Sequence, residues 1–375
     1  MKAGWVKLPF VDVIADESGG NIKTPQSEFL PSGRFAVVDQ GKNLISGYVD
    51  NESHLCKASL PVIVFGDHTR CFKFIDFPFC MGADGVKILR PKVEADVKYL
   101  YYYLRQLHLH DGGYDRHFKY LKRRDVLLPP PEEQRRIAEI LDRAQSLISK
   151  RREAIGQLDT LTQAIFIEMF GDPVTNPKGW SVLYFNNLLS MPLRNGLSPS
   201  NIGKVMSKVL TLSAITGSAF DENAWKTSTF QSVPPITQRV DQSDFLICRG
   251  NGNIQLVGKG YFPTQQMPEV TFPDTMIAAR ILPEVIERQF LQHIWNSSAV
   301  RRQLETLART TNGTFKVNQT MLEGVLFVVP PLPLQQEFAR RAEAVEKLKT
   351  AHRASLSELH ALFASLQHRA FRGEL

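Results

Sequence analysis

At 375 residues the chain is long enough for two or three domains, each able to bury its own core. It is 43% hydrophobic and 22% charged, and no apolar run nears the roughly 18–20 residues of a membrane span, so a helical membrane protein is excluded. The net charge of +7 suits a polyanionic partner without requiring one. The first ten residues carry no apolar core behind a basic stretch, so no signal peptide is expected. Cys56, Cys71, Cys80 and Cys248 form no CxxC pair and have no partnering His cluster. They read as buried thiols of a cytoplasmic protein, not as a disulfide frame or a metal site.

In chain order, a first mixed block spans 1–130. It opens on Gly4-Trp5 and continues through a strand-like run, Pro61-Val62-Ile63-Val64-Phe65, that ends in the polar loop Gly66-Asp67-His68-Thr69-Arg70. A helical run over Val97–Gln106 follows, then a second polar loop, Gly112-Gly113-Tyr114-Asp115-Arg116-His117-Phe118-Lys119, and the basic run Lys122-Arg123-Arg124.

The stretch Leu128-Pro129-Pro130-Pro131-Glu132-Glu133-Gln134-Arg135-Arg136-Ile137 then opens a long helix, which with Gly171 occupies 131–171. Prolines and acidic residues suit a helix N-terminus, and Gly171 and Pro173 suit its end. A second mixed block spans 172–328, opening on Asn176-Pro177-Lys178-Gly179-Trp180. It holds the strand-like Asp244-Phe245-Leu246-Ile247-Cys248 and the polar loop Arg249-Gly250-Asn251-Gly252-Asn253. After these come a strand-like Ile254-Gln255-Leu256-Val257, a helical run Arg288–Ala308 and the loop Thr310-Thr311-Asn312-Gly313-Thr314-Phe315-Lys316. Basic residues exceed acidic ones 18 to 15 in the first block and 14 to 11 in the second.

At 329–375 the first helix returns at an offset of 201: Val329-Pro330-Pro331-Leu332-Pro333-Leu334-Gln335-Gln336-Glu337-Phe338 aligns with the 128–137 opening and continues without a gap to Phe371. Steps of four and three pick out Ile137, Leu141, Ala144, Ile148, Arg151, Ile155, Leu158, Thr162, Ile165 and Met169. Their counterparts are Phe338, Ala342, Val345, Lys349, His352, Leu356, Leu359, Phe363, Leu366 and Ala370. Eight of ten are apolar in each copy, the seam of a coiled coil. The breaks at Arg151 and at Lys349 and His352 fix register, face a partner or lie in solvent. The chain is thus block, helix, block, helix, with blocks whose sequences barely resemble one another.

These parts resemble the specificity subunits of type I restriction–modification systems. The likeness is carried by Pro129-Pro130-Pro131-Glu132-Glu133-Gln134-Arg135-Arg136-Ile137, the ending Met169-Phe170-Gly171-Asp172-Pro173, the entry Asn176 to Trp180, and the closing Ala370-Phe371-Arg372-Gly373-Glu374-Leu375. Leu334-Gln335 departs from the pattern where the first copy has Glu133-Gln134. The resemblance covers the whole chain and implies an α+β protein: two α/β target-recognition domains separated by two long antiparallel helices that form a coiled coil, in a pseudo-two-fold arrangement. It also implies as partners double-stranded DNA, two modification (methyltransferase) subunits and, where present, restriction subunits. S-adenosylmethionine, ATP and Mg²⁺ would belong to those subunits and none to this chain. A methylation-only assembly would differ only in its partners.

A helix from Glu132 to Phe170 would run roughly 58 Å, enough for half-sites about one duplex turn apart. Contacts to DNA are expected in the loops, where Arg, Lys, Asn and Thr can reach base edges or phosphates. The candidates are His68, Thr69, Arg70, Tyr114, Arg116, His117 and Lys119 in the first block. In the second they are Arg249, Asn251, Asn253, Thr311, Asn312, Thr314 and Lys316. Each loop also reads as an ordinary hairpin connection. Trp5 and Trp180 read as core. No catalytic motif emerges: there is no Walker loop and no Asn/Asp-Pro-Pro-aromatic run. The one nuclease-like set, Asp84 with Asp96 and Lys98, also reads as a helix cap beside an unrelated lysine.

Overall fold

In a computed structural model, residues 2, 4–109, 115–311 and 313–375 are described, without the side chains of 309–311. The chain divides into two compact units, Met1–Ala154 with His352–Leu375, and Ile155–Ala351. The two long helices are Pro131–Phe170 and Leu332–Ala370, so each unit takes in part of each.

In the first unit Val6–Pro9 pairs antiparallel with Asp125–Leu128, and the block's first and last strands meet just before the helix begins. Val62–Gly66 lies inside an antiparallel sheet ordered Ile14–Asp16, Val86–Pro91, Val62–Gly66, Phe72–Ile75. All five of its residues are buried, which explains an apolar run without alternation. A second, mixed sheet is ordered Lys23–Thr24, Phe79–Gly82, Phe35–Val38, Gly47–Val49.

The second unit repeats this frame. Ser181–Tyr184 pairs with Leu326–Val329. Asp244–Cys248 lies between Met276–Arg280 and Gly260–Tyr261, and a mixed sheet runs Trp225–Phe230, Val205–Leu210, Met267–Thr271, Arg239–Val240. It adds a small sheet in which Gly250–Asn251 and Arg309–Thr311 flank Thr314–Lys316.

The helical run at 288–308 is two helices, Arg288–Trp295 and Ser298–Leu307. Asn296 turns its amide onto the carbonyls of Gln292 and Gly260, and Ser297 bonds back to Ile294, so the side chains compete with the helix at the break. Ile254–Val257 is not a strand: Ile254–Leu256 is a 3-10 turn, started by the Asn253 side chain accepting from the Gln255 N–H.

Every seam position in both long helices is buried or half-buried. Within the first unit the helices run antiparallel, with Ile137 and Leu141 in one core with Ala370 and Phe371. Arg151 donates to Nδ1 of His352, its own counterpart at the repeat offset, over 2.8 Å. Within the second unit Phe166 and Phe170 meet Phe338, and buried Lys349 pairs with Asp159 at 2.7 Å and with Glu346. The seam breaks are therefore paired polar contacts, not solvated gaps. Gly171, in the left-handed region at φ 80°, closes the first helix, and Gly373 at φ 74° follows the second.

Two glutamines explain the proline-led motif. Gln134 is buried; its Oε1 accepts from the Asp96 N–H at 2.9 Å and its Nε2 donates to the Pro129 carbonyl. Its counterpart Gln335 accepts from the Glu287 N–H at 2.9 Å and donates to the carbonyls of Pro330 and Val285. Asp96 and Glu287 are the N-caps of Val97–Gln106 and Arg288–Trp295. In each unit one buried amide thus ties the block's helix to the start of a long helix.

Cys80 and Cys248 are buried and Cys56 and Cys71 only half-buried; all four are free. Burial pushes the Cys80 and Cys248 thiols up to about 11, which keeps them protonated and unreactive near neutral pH. Among the described residues, no helix is long and apolar enough to cross a membrane.

Candidate nucleic-acid interface

Each unit brings its two sequence-predicted loops together. In the first, residues 66–70 form the tip between Val62–Gly66 and Phe72–Ile75. The tip closes through Arg70 N–H to Gly66 O at 2.8 Å, with Arg70 at φ 61°. Asp67 is the hub beneath it. Its N–H donates to Gly85 O, its carbonyl accepts from the His117 N–H, and its carboxylate accepts from the Phe118 N–H at 2.7 Å. His117 is only 1% exposed, and its Nδ1 lies 3.0 Å from the same carbonyl. As placed, this histidine cannot reach a duplex; it fastens the second loop to the first.

Around that hub, Thr69, Arg116 and Lys119 are exposed, and His68 and Arg70 are half-buried. The Thr69 hydroxyl donates to Gln40 O, and the His68 N–H donates to Gln40 Oε1 at 3.2 Å. Lys119 pairs with Asp115 at 2.8 Å. Hydrogen bonds from Lys119, the Tyr120 hydroxyl and the Arg116 N–H pull the Asp115 carboxyl down to about 2. Tyr114 lies outside the described residues.

In the second unit the two loops join through the small sheet, with Gly250 opposite Lys316 and Asn251 opposite Phe315. Lys316 and Asn253 are exposed, while Asn251 and Thr314 are half-buried. Arg249 is half-buried and donates to Asp274 O at 3.2 Å, and Asn251 Oδ1 accepts from the Asn253 N–H, so both shape the loop as well as line it. Asn312 and the side chain of Thr311 lie outside the described residues. Phe315 packs against the unit's core.

Trp5 and Trp180 are anchors. Trp5 is buried and donates to Glu133 at 3.0 Å; Trp180 is half-buried and donates to Phe170 O at 2.9 Å. The nuclease-like set has other occupations. Asp96 accepts from the Tyr99 N–H as a helix cap, Lys98 pairs with Asp142 at 2.9 Å, and Asp84 sits in a turn at φ 48°. Among the described residues, no three His, Cys, Asp or Glu side chains are grouped to hold a metal ion. Two positioning residues escaped the sequence reading, Asp67 as a hub and Gln40 as a brace. The only signal for Gln40 is its loop, Asp39-Gln40-Gly41-Lys42-Asn43, whose composition matches that of the candidate contact loops.

No family model matches the chain. Over 140 residues it is 30% identical to the type I restriction enzyme StySPI specificity subunit of Salmonella potsdam. That match takes in 36% of this chain and 30% of the relative, so the chain spans under a third of that relative's length in the match. Its fold is that of the S subunit of a type I restriction–modification system from M. genitalium, with a TM-score of 0.59 at 13% identity over 99% of this chain and 98% of that one. A second chain, solved in work on complex assembly and conformational transition of the type I restriction–modification system, gives a TM-score of 0.57 at 18% identity over 100% and 99%. These likenesses establish an α+β architecture of two helix-linked domains.

Proposed function

We propose that this chain is the DNA-specificity subunit of a type I restriction–modification complex, reading a bipartite, asymmetric duplex site with one unit per half-site. The observation that carries the reading is a duplicated frame crowned by two unlike polar surfaces. A repeated docking scaffold with different tips is what recognition of two different half-sites requires. The likeness to the StySPI subunit points the same way.

In this reading blocks 1–130 and 172–328 are target-recognition domains, and the helices at 131–171 and 329–375 set the gap between half-sites. Thr69, Arg70, Arg116 and Lys119 face one half-site, and Arg249, Asn251, Asn253, Thr314 and Lys316 the other, with Tyr114, Thr311 and Asn312 assigned by sequence alone. Arg70 and Arg249 read base edges, whereas the remaining Lys and Arg positions meet phosphate, and that contribution falls steeply with salt. His68 belongs with the first of these surfaces, and buried His117 supports it from beneath. The chain itself is non-catalytic. Methyl transfer with S-adenosylmethionine, and cleavage with ATP and Mg²⁺, belong to two modification subunits and the restriction subunits in the cytoplasm.

The test is to co-express the chain with its modification subunit in a host lacking adenine methylation and to map methylated adenines across the genome. A split asymmetric motif with a constant gap is expected. A stable complex that methylates a single continuous motif would contradict two separate readers.

A further inference from the structure

A third exposed loop of the first unit stands beside the hairpin tip 66–70. Residues 39–46 join Phe35–Val38 to Gly47–Val49 in the mixed sheet, whereas the tip belongs to the antiparallel sheet. Gln40 ties the two loops through its amide oxygen on the His68 N–H and its carbonyl on the Thr69 hydroxyl. The approach is too close for side chains on the facing backbone. A Cβ on Gly66 would lie 2.7 Å from Gln40 O, and one on Gly85, at φ 71°, would lie 2.7 Å from Gln40 Oε1.

The loop is also held from below. The ammonium of Lys73, 5% exposed, donates to Asp39 O at 2.7 Å. The Asp39 carboxylate accepts from the Gly41 N–H at 2.8 Å and from the Ser46 hydroxyl. The second unit uses the same device, with Lys259 donating to the carbonyls of Thr216 and Gly217 in the connection between its own two mixed-sheet strands. With its base braced, the first unit's loop presents Lys42 and Asn43, both exposed. An asparagine amide can accept and donate together to an adenine edge, and a lysine can serve guanine or phosphate.

We infer that Lys42 and Asn43 form a third DNA-contacting element of the first unit, continuous with His68–Arg70, to which Gln40 ties their loop. The inference rests on the specificity-subunit reading. In the assembled complex, adenine methylation is mapped genome-wide for the native chain, Lys42→Ala/Asn43→Ala, Asn43→Asp and Arg70→Gly. Glycine is used at position 70 because the backbone there is left-handed.

The two loop-39–46 variants are expected to relax one or two base positions in the half-site that Arg70→Gly alters, each by roughly ten- to a hundredfold in discrimination. The other half-site and the gap stay as they were, which shows that the variants are folded and assembled. An unchanged motif in both variants while Arg70→Gly alters a half-site overturns the inference and leaves the first unit's reading role intact. A change in the opposite half-site also overturns it. If Arg70→Gly changes nothing either, the reading role of the 66–70 tip falls together with it.

Discussion

The two units use the same joints and fill them with different chemistry. In the first, Tyr99 meets Phe371 at 5.7 Å, Tyr102 bonds Asp142, and the Tyr102 carbonyl accepts from Gln367. In the second, at the same spacing from the helix cap, Phe290 meets Phe170 at 5.0 Å and His293 packs on Phe166 and Phe338 at 4.7 and 5.1 Å. The central sheets differ likewise. Asp16 and Glu17 pair with Lys87 and Arg90 near the surface of the first unit, whereas the second buries Asp244 between Arg194 and Arg280. A joint fixes geometry, and several side-chain sets satisfy one geometry. The tips, free of that constraint, share almost nothing.

That comparison can be broken hardest at Asp244. It is fully buried and pairs with Arg194 at 2.5 Å and Arg280 at 2.9 Å. Asp244→Ala takes the shared carboxylate from Arg194, which keeps the Thr237 carbonyl, and from Arg280, which keeps Asp241 at 3.0 Å, with an expected loss of about 3 kcal/mol confined to the second unit. Urea titration with a probe in each unit measures it; an equal loss in both units would show that they do not unfold separately.

Acid and alkali should divide the two matching sites next. Burial lowers the His293 imidazole to about 4, so the folded state refuses a proton that the unfolded chain accepts near 6.5. Its contribution is complete above pH 6.5 and is lost as pH falls toward 4, at most about 3 kcal/mol. At the matching site burial raises the Tyr102 hydroxyl, so the contribution of this group is lost only as pH rises past about 10. Melting temperatures of the native chain and His293→Phe across pH 4–7 decide this; the substitution should flatten the acid limb of the second unit.

The glutamine clamps sharpen the likeness. Gln134→Leu takes the partner from a cap N–H and one carbonyl, Gln335→Leu from a cap N–H and two carbonyls, and each should cost about 1–3 kcal/mol in its own unit. A loss at one site and none at the other would show that the joints are not equivalent. The smallest effect belongs to Arg151→Met, which removes the bond to His352. About 1 kcal/mol or less is expected, visible as a small shift in urea midpoint.

The long helices were readable because their pattern is local: a 3–4 alternation held through both copies, proline at the start and glycine near the end. The central strands were readable because Val62–Phe65 and Asp244–Cys248 are apolar runs bounded by polar loops. The break at Asn296-Ser297 was not, because periodicity continues through it and only the turned-back side chains stop the helix. Ile254–Leu256 carries strand-like residues, yet the Asn253 cap bends it into a turn. His117 looks like a contact in sequence and is interior in the fold, since Asp67, fifty residues away, claims it. Gln40 carries no signal beyond the composition of its loop for the same reason: its partners His68 and Thr69 sit on the tip of another sheet.

The central claim, one unit for one half-site, is tested most directly by mapping genome-wide adenine methylation for complexes carrying Arg70→Gly or Arg249→Ala. Each substitution should degrade bases in one half of the split motif, a different half for each, with the gap unchanged. Degradation of both halves by either single substitution would contradict the account.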